Sequence, residues 1–517
     1  MASKVIIEKN AYHDSVTLMS LSGKILNKEG VEEAVVSMAT QMNKELLENI
    51  GLMTDEVSDA TENDLIIAVK AESDDVVEET IAYIDEALNA KKQKKSKNGN
   101  EPVKTFNGAM NAVPDANMAI ISVPGEYAAR EARQALNNGL HVMLFSDNVS
   151  IEDEKSLKEL GRQKGLFVMG PDCGTAIVNH AGLCFANQVK QGGIGLVAAS
   201  GTGLQEVSVQ IDRMGYGITQ AIGTGGRDLH EDIGGIMMLE GLKALDEDEQ
   251  TKVITLISKP PAKAVQDKIL AEIKNISKPV VVGFLDGDRE AVESVGATFA
   301  ATLIEAARQS VKLLKPEAEI TAALDQESIN WTNNEISKLT KEQSYVRGLF
   351  CGGTLTSEAL SILRSMGEKV KSNVAKKAEE KIADIDISEG HSLLDMGDDD
   401  FTKGKPHPMI EPSLRNDRIL QEAKDPETAV LLLDFELGYG SHEDPVGESI
   451  ETIKEAIKTA EDAGRHLSVV AYICGTFTDK QGYQSQEEKL RDAGVFVASS
   501  NEMASKLACV IAKKEVM

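Results

Sequence analysis

Aromatic residues make up only 4% of this 517-residue chain, and Trp331 is its single tryptophan. With so few large rings, cores must be built from Ala, Val, Ile, Leu and Met, which suits layered α/β architecture better than a β-sandwich. Cysteine is sparse too: Cys173, Cys184, Cys351, Cys474 and Cys509 are five in number and form no CxxC pair. That excludes a disulfide framework. None of the eight histidines lies in an HxxxH or HExxH pattern, so no metal site is assigned. No apolar run approaches the ~18 residues of a spanning helix, and no apolar signal region opens the chain, so a cytoplasmic protein is expected. Positive charge is in deficit, at 55 Lys and Arg against 83 Asp and Glu, a formal net charge of −28. Such a surface repels phosphate backbones and anionic bilayers, so neither nucleic acid nor membrane is expected as a partner. Small anions can bind only where backbone N–H groups and local Arg or Lys overcome that field.

What is present is globular: 42% hydrophobic and 27% charged residues, with 42 glycines and 13 prolines spread without a period. At ~100–200 residues per domain, the length predicts three to four domains. Residues 1–90 read as a small α+β domain, with strands at Val5–Glu8 and Leu65–Val69 and a weak alternation over Val31–Met38. Val77, Ile81, Ile84 and Leu88 then recur at helical spacing. The Lys-rich, Gly- and Asn-containing stretch 91–102 reads as a linker.

Strand and helix patterns then alternate. Strands are expected at Ala119–Val123, Val142–Phe145 and Leu166–Met169 in a domain over 103–190. A second domain, 191–315, carries Ile194–Ala199, Ile218–Ile222, Val253–Ile257 and Val280–Phe284. A polar helical connector is expected over 316–345. The last domain, 346–517, carries Val346–Phe350, Val430–Leu433, Ser468–Ile473 and Val495–Ala498. Short, wholly apolar strands alternating with helices imply open parallel sheets covered on both faces. Residues 367–427 are a long polar insertion, too long for an ordinary loop, and read as a lid or a mobile segment.

In open parallel sheets, ligands gather where strand ends meet helix N-termini, whose free N–H groups favour anions. The loop Ser200-Gly201-Thr202-Gly203 follows one strand; it is an anion cradle or a tight turn with a helix cap. Gly225 and Gly226 precede Arg227, which either meets a bound anion or pairs with Asp228 or Asp232. His230 beyond it is a general acid, a phosphate acceptor or an ordinary loop residue. Cys351-Gly352-Gly353-Thr354 repeats the layout, with Cys351 as a thiolate lowered by the helix end or a packed thiol.

Two more such loops follow in the last domain: Gly440-Ser441-His442 and Gly475-Thr476 with Asp479. His442, Asp479 and, from the insertion, His407 are the acid/base candidates. Arg415 and Arg418, at i and i+3 after two prolines, form either a clamp for a doubly charged substrate or a pair of surface salt bridges. The acidic run Asp395–Asp400 lacks the ligand order of a calcium loop and reads as solvated.

Three strings, Met169-Gly170-Pro171-Asp172-Cys173-Gly174-Thr175, Gly195–Thr202 and Gly223–Asp228, resemble the α subunit of succinyl-CoA synthetase and its acyl-CoA synthetase relatives. That resemblance implies Rossmann- and flavodoxin-like domains: CoA-binding-like over 103–190, ligase-like over 191–315 and CoA-ligase-like over 346–517. Leu433-Asp434, Gly438–Pro445 and His407–Pro412 are more particular, and with them the chain resembles the FdrA family along nearly its whole length. Two departures stand out. The stretch Glu293–Ala300 has no histidine where the synthetases carry a phosphorylated one, and a Lys-rich run replaces the glycine-rich CoA turn ahead of Thr105-Phe106-Asn107. The FdrA resemblance implies the large subunit of oxamate carbamoyltransferase in allantoin (purine) catabolism, joining oxalurate and phosphate to give oxamate and carbamoyl phosphate. It implies small anionic substrates (carbamoyl phosphate, oxamate) and other subunits of a hetero-oligomer as partners. No cofactor is firmly implied; CoA stays open, weakened by the missing glycine-rich turn. A CoA ligase and a non-catalytic scaffold subunit are the alternatives.

Overall fold

A computed structural model describes residues 2–11, 13, 15–26, 28, 30–96, 103, 105–320, 326–402 and 405–516. The chain divides into a smaller N-terminal unit reaching Pro114 and a larger one that begins at Asp115. In the first, β1 (Ala2–Glu8), β2 (Val31–Met38) and β3 (Leu65–Ala71) form an antiparallel sheet in the order β1-β3-β2. The central strand is apolar at every position but Lys70 because it is covered twice. Leu65, Ile67 and Val69 pack with Ile81, Ile84 and Leu88 on one face, and Ile66 and Ala68 pack with Leu47, Leu52 and Val57 on the other. The helix Asp74–Ser96 runs into the stretch expected as linker; residues 97–102 lie outside the described residues.

The larger unit holds three sheets. β4 (Met118–Ile121), β5 (His141–Leu144) and β6 (Val168–Met169) are parallel in that order. Next come β7 (Thr175–Val178), β8 (Ala181–Cys184), β9 (Gln191–Ala199), β10 (Ile218–Gly223), β11 (Val253–Ser258), β12 (Val280–Phe284) and β13 (Thr298–Phe299). They form one sheet in the order β13-β12-β11-β9-β10-β7-β8, parallel except for the β7–β8 hairpin at one edge. The third sheet is wholly parallel, in the order β15-β16-β14-β17-β18-β19. Its strands are β14 (Tyr345–Phe350), β15 (Val370–Ser372), β16 (His391–Asp395), β17 (Thr428–Glu436), β18 (Ser468–Cys474) and β19 (Phe496–Ala498).

The third sheet corrects the reading of residues 367–427. They supply β15, β16 and the helix Asn416–Lys424, and β16 pairs along β14 inside the sheet. All of His391–Asp395 is buried, so this stretch is core, not a lid.

The helix Gly201–Arg213 after β9 and the helix Gly353–Ser365 after β14 share one apolar core. Leu204, Val207 and Ile211 recur at helical spacing along the first helix, but every residue from Gly203 to Asp212 is buried. A helix enclosed between two sheets has no solvent face, so its polar side chains need internal partners. Gln205 Nε2 donates to Phe185 O at 2.7 Å, Gln210 Nε2 to Ser499 O at 2.9 Å, and the Tyr472 hydroxyl to Glu206.

Candidate active site at two facing helix ends

The packing of these two helices brings their N-termini together. Ser200 caps the first, its Oγ accepting from Gly203 N at 2.9 Å, and the same oxygen lies 2.6 Å from Thr354 Oγ1 on the first turn of the second. Thr354 N donates to Thr202 Oγ1 at 3.4 Å. Each helix end contributes unpaired N–H groups and a partial positive charge, so the meeting point favours an anion. Ser200, Gly201, Thr202, Gly352, Gly353 and Thr354, expected as anion-binding from two loops far apart in sequence, stand in one place.

Carboxylates surround that point. A Cβ at Gly353 would overlap Asp395 Oδ2 and lie 3.3 Å from Lys259 Nζ. Asp434 holds the glycine loop itself: Cys351 N donates to its Oδ1 at 2.7 Å and Gly352 N to its Oδ2 at 2.9 Å. Burial pushes Asp395 up to about 7, Lys259 opposing, and Asp172 up to about 6, with Asp147 adding to the rise.

Several expectations change. Arg415 is buried, ion-paired with Asp434 at 3.1 Å and stacked 4.4 Å over the Phe435 ring. Arg418 pairs with Glu422 at 2.6 Å and donates to Ile385 O and Ser388 Oγ. Neither is a free clamp: Arg415 is the counter-ion of Asp434 on β17, and Arg418 that of Glu422 one turn along its own helix. Cys351 is no low-pKa thiolate: burial raises its thiol well above the ordinary value, and Asp434 and Glu436 oppose its ionisation. Asp479 is a brace, accepting from Thr476 N at 2.7 Å, Gln188 N at 2.8 Å and Asn187 Nδ2 at 2.8 Å. Gly475 and Thr476 form part of that brace, since Gly475 O accepts from Arg213 and Thr476 Oγ1 donates to Gln188 O. They bind protein, not the anion point.

Gly440 lies against Cys184 O and Phe185, and neighbouring Ser441 Oγ is buried without a partner. His442 Nδ1 accepts from Asp444 N at 3.1 Å, and its Nε2 stands 3.9 Å from Glu448. Gly225 and Gly226 pass close over Pro171 and Asp172, but Arg227 is turned to Val149 O at 2.7 Å and Glu154 at 2.9 Å. Beside it, fully buried Lys158 donates to Glu154, Asp228 and Thr224 O and fixes the loop. His230 is lowered chiefly by burial. His407 lies beside the loop that follows β14: a Cβ at Gly397 would overlap its ring and lie 3.0 Å from Cys351 O. Burial lowers His407 to about 4, and its Nδ1 accepts from Met409 N at 3.2 Å, so the neutral ring carries its proton on Nε2.

The sequence reading missed Lys259, Asp395 as a single residue, and Glu436. Lys259 directly follows β11 and Glu436 ends β17, positions that signal a site in this fold class. Cys351, Asp434 and Glu436 present ligand atoms all within 4.8 Å of one another, the group among the described residues that could hold a metal ion.

Comparison with known proteins follows the same architecture. Residues 1–104 match the family model described as AllF, heavy metal-associated domain, residues 189–285 the CoA binding domain, and residues 349–511 CoA-ligase. The uncharacterized protein YahF of Escherichia coli K12 is 49% identical over 510 residues, 98% of each chain. The α subunit 2 of an ADP-forming succinate–CoA ligase from Archaeoglobus fulgidus is 28% identical over 178 residues, 34% of this chain and 60% of that one. Among solved structures, PH0766 of Pyrococcus horikoshii aligns over 78% of this chain and 85% of its own, at TM-score 0.32 and 16% identity. These matches overturn the expectation of a transferase: the matched domains and the relatives of named activity are of the CoA-ligase type, not carbamoyltransferases. Residues 1–104 contain no cysteine, so no thiolate ligand is offered there. No helix among the described residues is long and apolar enough to cross a membrane.

Proposed function

The chain belongs to the family of Escherichia coli YahF, and from that membership and its ligase-type domains we propose that it catalyses CoA-ligase-type acyl exchange. The part of the ligase reaction assigned here is the half-reaction in which a small acyl-CoA and phosphate give an acyl phosphate and free CoA; the acyl phosphate then passes its phosphoryl group to a nucleoside diphosphate, leaving the free acid and a nucleoside triphosphate. A phosphate oxygen attacks the thioester carbonyl carbon, the C–S bond breaks, and CoA leaves as a thiolate that takes up a proton. The observation that carries this reading is the bridge from Ser200 to Thr354, which sets two helix N-termini against one small anion. Gly203 N and Thr354 N are engaged by Ser200 and Thr202, so the phosphate is held by the remaining first-turn N–H groups, by the Thr202 hydroxyl and by the one hydroxyl hydrogen the Ser200–Thr354 bridge leaves free, and Lys259 adds charge beside it. Because Glu293–Ala300 carries no histidine, the phosphate acts directly and not through a phosphorylated side chain of that stretch. The AllF-type match at the N-terminus supports placing the chain in the FdrA branch of this superfamily, with further subunits and small anions as its partners.

The test is to incubate the purified protein with short-chain acyl-CoAs and phosphate and trap acyl phosphate with hydroxylamine. Parallel calorimetry follows phosphate and CoA separately. The reading expects phosphate-dependent hydroxamate, and binding of both compounds. Folded protein that binds neither phosphate nor CoA would overturn it.

A further inference from the structure

Two strands of the third sheet end on a buried group with unusual chemistry. Cys351 follows β14, and Asp434 and Glu436 occupy alternate positions at the end of the adjoining β17, so both carboxylates point to one face beside the thiol. All three side chains are essentially inaccessible to solvent. Asp434 is well supplied with donors from Cys351 N, Gly352 N and Arg415. Glu436 is the reverse: its buried carboxyl has no donor from outside the group and shares a hydrogen bond only with the Asp434 carboxylate beside it. An ionised carboxylate left so is costly, and buried charges are normally paired or bound to metal. Gly352 packs closely over the group: a Cβ there would stand 3.1 Å from Thr202 Cγ2 and 3.2 Å from both Asp434 Oδ2 and Glu436 Oε1.

We propose that Cys351 Sγ, Asp434 and Glu436 bind one divalent transition-metal ion of the zinc type. A thiolate with two carboxylates suits a borderline cation and not magnesium or calcium, which take oxygen ligands alone. The ligand atoms, within 4.8 Å of one another, close to bonding distance by small side-chain rotations. Charge balances in both conditions. Without metal, Cys351 and Glu436 keep their protons and Asp434 faces Arg415. With metal, the thiol and carboxyl protons pass to solvent, and three anionic ligands are matched by the dication and Arg415. The ion would lie at the start of the Gly353–Ser365 helix, next to the anion point but independent of whether that point holds phosphate.

The experiment is cobalt titration of the full-length protein after chelator treatment, read by absorption and by metal content. One Co²⁺ per chain with a thiolate-to-cobalt charge-transfer band is expected. The band should vanish in Cys351→Ser, and Glu436→Gln should weaken affinity by at least about tenfold. Circular dichroism shows that each variant is folded; Glu436→Gln, nearly isosteric, serves if the cysteine variant is not. Folded wild-type protein that takes up no stoichiometric cobalt would overturn the proposal. So would a band unchanged in Cys351→Ser or an affinity unchanged in Glu436→Gln.

Discussion

Ser200 and Thr354 are separated by 154 positions of sequence, yet their hydroxyl oxygens lie 2.6 Å apart, each at the start of a buried helix. Removing either hydroxyl should weaken phosphate binding. Ser200→Ala also removes the cap on Gly203 N and should cost about 1 kcal/mol of stability. Thr354→Val keeps the buried Cγ2 methyl beside Gly203 and loses only the bridge, about 0.5–1.5 kcal/mol. In a double-mutant cycle by chemical denaturation, the two losses should be less than additive; strict additivity would mean that the hydroxyls do not interact.

The two glycines that open these helices are not equivalent. At Gly353 an added methyl meets Asp395, whereas at Gly201 the nearest atom is Thr175 Oγ1 at 3.8 Å. Gly353→Ala is therefore expected to destabilise by about 1–3 kcal/mol and to abolish anion binding. Gly201→Ala should be neutral or stabilising by up to about 1 kcal/mol. Melting temperatures and phosphate calorimetry of the pair check this.

Glu358 gives stability an unusual pH slope. Burial, with Glu206 nearby, raises it from an ordinary 4.5 to about 8. Between those values the unfolded chain has lost the proton that the folded chain keeps, so stability is full below 4.5 and falls as pH rises towards 8. The change is at most on the order of 5 kcal/mol. Glu358→Gln should flatten the curve over that window. Its new amide can be received by Asn501, whose Oδ1 is buried without a partner. Urea denaturation at a series of pH values measures the slope.

Lys158 holds three acceptors at once: Glu154 at 2.8 Å, Asp228 at 2.9 Å and Thr224 O at 2.9 Å. Lys158→Met leaves two buried carboxylates without this cation and should cost about 3–5 kcal/mol. The Gly223–Asp228 loop should then lose protection in amide hydrogen exchange, while β17 keeps its own.

Much of this fold is legible in the sequence because parallel strands covered on both faces are written as unbroken apolar runs. Ile194–Ala199 and Val280–Phe284 announce themselves so, and their loops follow with glycine and hydroxyl residues. His391–Asp395 does not, since its apolar run is two leucines inside a long polar stretch, and its burial is dictated by β14 and β15. Charged residues mislead for a related reason. Arg415 and Arg418 look like a free pair, yet Glu422 stands at i+4 from Arg418 on one helix and is readable there. Asp434, 19 residues from Arg415 and on a strand, is not, because that pairing exists only in the assembled sheet. The facing helix ends are legible as two similar loops, but their meeting depends on packing that no local signal encodes.

The placement of β16 has a consequence for how the chain is made. β14 is flanked by β16 on one side and by β17 on the other, and β16 precedes β17 in synthesis. The third sheet therefore extends from its earliest strand first one way and then the other. A nascent chain that has passed Asp395 but not yet reached Thr428 carries β14 with one edge still open, apolar and ready to pair. Truncations ending in that interval should capture a second copy of themselves, whereas those ending before Val346 expose no such edge of this sheet.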